Sequence, residues 1–196
     1  MPEAPLAVAV IIGSTRPNRH GEPVARWVLE RAAQREDLAA DVIDLATIDL
    51  PMFDEPMPPI SGEYAHEHTR EWAATIARYD AFVFVSPEYN RSIPGVLKNA
   101  IDFLYHEWTD KAAGFVSYGA DAGGARAVEH LRLVMGELRI ADVRTMVPLS
   151  LSHDFENFSH FAPSETPIVK ADAMLAELAT WGLALRAVRA SRAVAA

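Results

Sequence analysis

Residues 13–21 of this chain run Gly13, Ser14, Thr15, Arg16, Pro17, Asn18, Arg19, His20, Gly21. The stretch sits between an apolar run and a helical pattern. A helix N-terminus offers free N–H groups and the positive end of a dipole, which suits a phosphate. The hydroxyls of Ser14 and Thr15 can donate to phosphate oxygens, and Arg16 or Arg19 can add charge-assisted bonds. The loop is not a Walker A sequence, because the Gly-Lys-Ser/Thr ending is missing. It is not G-x-G-x-x-G either, since Ser14 and Thr15 follow a single glycine, so a plain dinucleotide-binding domain loses its main signature.

Two further segments could join this one. Ser86-Pro87-Glu88-Tyr89-Asn90-Arg91-Ser92-Ile93-Pro94-Gly95 is stiffened by two prolines. It sets an aromatic ring beside an amide, with Ser92 expected to cap the next helix and Pro94 to lie in its first turn. Ser117-Tyr118-Gly119-Ala120-Asp121-Ala122-Gly123-Gly124 holds three of the chain's ten glycines, and glycine lets a ligand approach the main chain closely. One segment suits a phosphate, one makes a stiff wall and one offers bare backbone. A phosphate carrying a flat polar ring would fit all three.

The elements that must position these segments are readable from periodicity. Leu6–Ile12 is continuous, β-branched and too short for a helix, as expected of a strand buried on both faces. Similar runs are expected at Asp41–Leu45, Ala81–Val85, Ala112–Ser117 and Val143–Leu149. Helical stripes fall between and after them. They run through Val24, Trp27, Val28 and Ala32, then through Tyr64, His68, Trp72, Ile76 and Tyr79. Val96, Leu97, Ala100, Ile101 and Leu104 form a third, and Val128, Leu131, Met135 and Leu138 a fourth. The last runs from about Ile168 to Val188. Pro51, Pro56, Pro58 and Pro59 mark an irregular loop. Five β-then-α units predict an open parallel sheet with helices on both faces. Ligands in such sheets bind beyond the carboxyl ends of the strands, where the three segments fall.

Composition narrows the function. The chain has 196 residues, 50% of them hydrophobic, with no cysteine and a net charge of −9. It is expected to be one domain without disulfides, thiolate nucleophile or cysteine-ligated metal. With 27 Asp+Glu against 18 Lys+Arg, general binding to nucleic acid or anionic membrane is not expected. No signal segment and no membrane span is expected, so the reading is a cytoplasmic protein.

Other constellations are weaker. His66 and His68, two apart, would fall on nearly opposite faces of a helix, and no metal site is expected. There is no Gly-x-Ser-x-Gly elbow for a serine hydrolase, although Ser14 or Ser117 with His153 is an alternative to weigh. Glu88 reads better as a solvated or capping carboxylate than as a general base. Trp72 reads as core. Tyr105 and Trp108 read as a subunit contact.

Gly-Ser-Thr-Arg at 13–16 and Pro-Glu-Tyr-Asn at 87–90, the latter continuing from Ser92 through Asp102, resemble the NADPH-dependent FMN reductase family over roughly Val8 to Leu149. The resemblance implies a single flavodoxin-like domain over residues 1–196, with a five-stranded parallel sheet in the order 2-1-3-4-5. It implies FMN as cofactor and NADPH or NADH as reductant. A hydride would pass through FMN to a quinone, free flavin, azo dye or similar acceptor by a ping-pong mechanism. It places the FMN phosphate on Ser14 and Arg16, with Arg19, His20 and Gly21 beside them. The isoalloxazine falls on Pro87, Glu88, Tyr89 and Asn90, and its polar edge on Ser117, Tyr118 and Gly119. It implies a homodimer or homotetramer and no catalytic side chain, the flavin carrying the chemistry. The competing reading is a non-enzymatic flavin or phosphate-ligand module, an electron carrier or sensor. No motif marks residues 150–196.

Overall fold

The computed structural model describes residues 4–120 and 122–195. Asp121, in the third glycine-containing segment, lies outside them. Five strands form one parallel sheet: β1 (Leu6–Ile12), β2 (Leu38–Asp44), β3 (Ala81–Pro87), β4 (Ala112–Gly119) and β5 (Ala141–Ser150). Their order is β2-β1-β3-β4-β5, all neighbours parallel. This is the expected flavodoxin-like order, which reverses between β1 and β3 and opens a crevice beyond their carboxyl ends. A two-stranded antiparallel ribbon, β6 (Phe155–Glu156) with β7 (His160–Phe161), follows β5.

The helices are α1 (Gly21–Ala32), α2 (Glu67–Ala77), α3 (Gly95–Asp102), α4 (Ala125–Glu137) and α5 (Glu165–Ala195). Alternation along β1 divides them between two cores. Val8, Val10 and Ile12 face α1 and α5, meeting Val24, Val28, Met174 and Leu178. Ala9 and Ile11 face α2, α3 and α4, meeting Trp72, Ile76, Leu97, Ile101 and Leu131. Strands covered on both faces explain the unbroken apolar runs of β1 and β3.

Element ends depart from expectation where tertiary contacts decide. β2 starts at Leu38, and Leu45 opens a short 3-10 turn that the Asp44 carboxylate caps. Tyr64 and Tyr79 flank α2 instead of lying in it. Ser92 does not cap α3. Pro94 occupies the N-cap position, and the Ser92 hydroxyl meets His130 Nδ1 at 2.8 Å. Trp108 is not a subunit contact but core, fully buried with its Nε1–H donated to the Ile101 carbonyl. Trp72 is core as expected, donating to the Ala100 carbonyl.

β5, outermost in the sheet, breaks register with β4 between Asp142 and Met146, and side chains meet the backbone of that stretch. Arg132 of α4 donates to the carbonyls of Val143 and Arg144 at 3.0 and 3.1 Å and pairs with Asp142. From the other face, Glu177 of α5 accepts from the Thr145 N–H at 3.0 Å and from its hydroxyl at 2.5 Å.

Candidate functional site

The carboxyl ends of β1, β3 and β4 bring the three segments around one cavity of about 280 Å³. Arg16, Arg19 and His20 line it from the first segment, Pro87, Glu88 and Tyr89 from the second, and Tyr118 and Gly119 from the third. Ser14, Gly21, Asn90 and Ser117 do not line it.

The first segment leaves β1 with Gly13 N–H bound to the Val85 carbonyl at 2.9 Å. Ser14 is fully buried, and its Oγ lies 2.8 Å from the Tyr89 hydroxyl, tying the first segment to the second. Arg16 is exposed at the mouth. Arg19 Nη2 contacts Asp44 at 2.5 Å and Glu22 at 2.8 Å, so much of its charge is spent inside the protein. His20 packs 4.9 Å from Phe155. Burial, helped by the charge of Arg16, holds its pKa below the ordinary 6.5. Gly21 begins α1 on ground that no side chain can share: a Cβ there would come 2.7 Å from Ile12 Cγ2 and 3.4 Å from the Tyr118 hydroxyl.

The second segment is rigid for a reason beyond its prolines. Tyr89 and Ser92 exchange both backbone bonds, at 2.8 and 3.0 Å, around a two-residue tip. Asn90 and Arg91 at that tip have φ of 49° and 69°, a left-handed pair that gives a tight reverse turn. Asn90, exposed at that tip, stays off the cavity lining. Glu88 caps a helix, but not the next one: it accepts from Arg126 Nε at 2.7 Å and from the Arg126 N–H at 3.2 Å, at the start of α4. Its N–H also binds the Tyr118 carbonyl at 3.1 Å.

In the third segment Ser117 acts inward. It is fully buried and donates its hydroxyl to the Gly123 carbonyl at 2.7 Å. Gly124 has φ +82°, and a Cβ there would meet Ser117 Cβ at 2.8 Å, so the turn demands glycine. Burial pushes the Tyr118 hydroxyl pKa up.

Ala120 and Leu151 also line the cavity, and sequence reasoning missed them. Leu151 N–H binds the Gly119 carbonyl at 3.1 Å. The signal available for it was positional, since the carboxyl end of β5 opens on the same side of the sheet. Arg126 and Phe155 carried no signal, because their roles depend on partners 38 and 135 positions away.

The set-aside constellations resolve differently from expectation in one case. His66 precedes α2 in extended conformation, so its ring is not opposite His68 but stacked on it, centroids 5.2 Å apart. Both meet Asp54. His153 Nδ1 contacts Ser152 and Ser150, while Ser14 and Ser117 have the other partners described above, so no serine–histidine pair forms from them.

The model of the family described as NADPH-dependent FMN reductase matches residues 6–154. The chain belongs to that family. It is accordingly an oxidoreductase of the NAD(P)H-dependent, FMN-using class. An NAD(P)H-dependent FMN reductase of Schizosaccharomyces pombe is 42% identical over 149 residues, covering 75% of this chain and 74% of its own. A quinone reductase of Pseudomonas putida is 36% identical over 129 residues, covering 63% of this chain and 66% of its own. Among solved structures, a flavoenzyme NAD(P)H:(acceptor) oxidoreductase from Paracoccus denitrificans superposes with a TM-score of 0.69 at 22% identity. It covers 90% of this chain and 97% of its own, and shares the fold. No helix among the described residues is long and apolar enough to cross a membrane.

Proposed function

We propose that FMN lies in this crevice, its phosphate at the start of α1 and its ring against Pro87–Tyr89, and that a quinone or similar compound is the final acceptor in a ping-pong cycle. The observation carrying this reading is the convergence of three strand-end segments on one cavity at the β1/β3 switch point. The donor set fits the group. The start of α1 puts the positive end of its dipole beside the cavity, and the Arg16 guanidinium on the lining makes no ion pair among the described residues. Bound there, FMN supplies the hydride acceptor for NAD(P)H and the donor for the second substrate.

The chain's own residues bind and orient. Glu88 is engaged by Arg126 and Tyr89 by Ser14, so both hold the wall and neither is free as an acid or base. Tyr118 and Leu151 close the inner side against water. Use of one flavin face by the two substrates in turn gives ping-pong order. Exposed Leu133, beside Ile93 and Val134 near the second segment, supports a homo-oligomer.

The absorption spectrum of the purified or FMN-reconstituted protein tests the reading, with NADPH then added without oxygen. The flavin band should bleach, and a benzoquinone should restore it. Double-reciprocal plots at several quinone concentrations should be parallel. A flavin that stays oxidised, or intersecting lines, would refute the corresponding part.

A further inference from the structure

We infer that Arg126 neutralises the Glu88 carboxylate at the edge of the cavity and thereby sets the reduction potential of the bound flavin, acting through Glu88 as a positioning residue. The inference rests on the proposed flavin site. It concerns the charge beside that site, not a further contact to the cofactor.

Among the described residues that line the cavity, Glu88 is the one carboxylate. Its side chain is only 10% exposed, and a carboxylate taken that far out of water is costly unless it is matched. The match comes from outside the cavity lining. Arg126 donates its Nε–H to Oε1 at 2.7 Å and its backbone N–H to Oε2 at 3.2 Å, so both carboxylate oxygens are engaged. Glu88 packs over bare main chain, since a Cβ on Gly119 would come 3.6 Å from Glu88 Cβ. Glu88, Gly119 and Ala120 also line a second cavity of about 150 Å³, and Arg126 is part of its wall. The pair therefore sits where the two cavities share a side.

That position has a redox consequence. Reduction of a flavin adds negative charge to its ring system, and charges beside the ring tune its potential. A bare carboxylate on the lining would oppose the added charge. The Arg126 guanidinium cancels it, and so does the positive end of α4, which opens at Ala125. The Arg126 side chain is 37% exposed, and an ion pair of that kind adds little to stability. What the pair changes most is the charge that the cavity meets. A purely mechanical role makes a different forecast. The pair spans the second and third segments, so breaking it from either side would loosen the same two segments and move the potential in the same direction.

Midpoint potentials of the FMN-loaded wild type, Arg126→Gln, Glu88→Gln and the double variant, read spectrally against a reference dye without oxygen, separate the two. Arg126→Gln leaves the carboxylate bare and should lower the potential by about 30 mV, equivalent to a tenfold loss in the preference for reduced over oxidised flavin. Glu88→Gln leaves the guanidinium unmatched and should raise the potential by a similar amount. The double variant should return to the wild-type value, and Arg126→Lys, which keeps the charge, should stay close to it. Titration of each apo-protein with oxidised FMN, followed by flavin fluorescence, should show smaller changes in affinity than the potentials imply for the reduced form. Shifts of the same sign in both single variants, or no shift in either, would overturn the assignment while the flavin site stands. If circular dichroism shows one single variant misfolded, the direction of the other, set against Arg126→Lys, decides. A wild-type protein that binds no FMN would instead overturn the functional reading, and the charge assignment with it.

Discussion

The two ends of the same sheet treat charge in opposite ways. At the amino end, cations meet carboxylates or carbonyls inside the protein. Asp80, before β3, pairs with Arg186 and Arg189 of α5 and also accepts the Ala7 N–H at 3.2 Å. Asp110, before β4, pairs with Arg139 and Arg192. Lys111, buried beside them, donates to the Ile76 carbonyl at 2.9 Å. At the carboxyl end the Arg16 guanidinium, on the cavity lining, has no such partner among the described residues. Charge matched within the chain fastens the last helix across the strand starts. Donors left over at the strand ends are available to a ligand. One end is a clasp and the other a receptor, and the same residue type, arginine, serves both.

The largest effect expected from this contrast belongs to Lys111. Burial lowers its pKa to about 8. Between pH 8 and 10.5 the unfolded chain therefore binds more protons than the folded one, and stability contributed by this group rises with pH. Urea unfolding of wild type and Lys111→Met from pH 7 to pH 11 should shift the difference between them by about 3 kcal/mol in favour of wild type. A difference that stays flat would mean the ammonium is not desolvated. Next in size, Asp80→Ala removes the acceptor of two arginines and an N–H. It should cost about 2–3 kcal/mol of stability, with FMN affinity unchanged.

Arg16→Ala reverses that pattern. FMN binding should weaken by about 1.5–3 kcal/mol, the range for bonds to charged groups. The urea midpoint should hold, and riboflavin binding should barely change. Loss of stability would move Arg16 from receptor to clasp. The smallest effect is expected for Tyr89→Phe. The ring wall survives and only the Ser14 contact is lost, so anaerobic stopped-flow reduction by NADPH should proceed nearly unchanged. A slowing of about a hundredfold or more, the scale of general acid–base catalysis, would make Tyr89 a chemical participant.

The receptor end was far more legible in the sequence than the clasp. Strand cores such as Val8–Ile12 and Ala81–Val85 announce themselves because burial on both faces forces unbroken β-branched runs. The segments after them stand out because close ligand approach demands glycine, proline and polar side chains within a few positions. β2 was misplaced at its start because Ala39 and Ala40, on an outer strand, carry no pattern. Arg186, Arg189 and Arg192 carried no signal in the sequence, since their partners Asp80 and Asp110 lie far away along the chain. The same distance hid the grip of Arg126 on Glu88. His66 misled because the helical stripe was read from Tyr64, whereas α2 starts at Glu67 and leaves His66 extended.

The side chains gripping the rim of β5 bear on how this molecule behaves at high concentration. An outermost strand of ten residues is a ready template for recruiting another chain through backbone pairing, the first step toward fibrils. Here residues 143–145 break the ladder, and a guanidinium and a carboxylate hold their backbone groups, so a recruit meets no continuous edge. The barrier is local and electrostatic, so acid that protonates Glu177 would lower it from one side only. Aggregation by sheet extension should therefore start from partly unfolded chains in which α4 or α5 has let go, and not from the native fold.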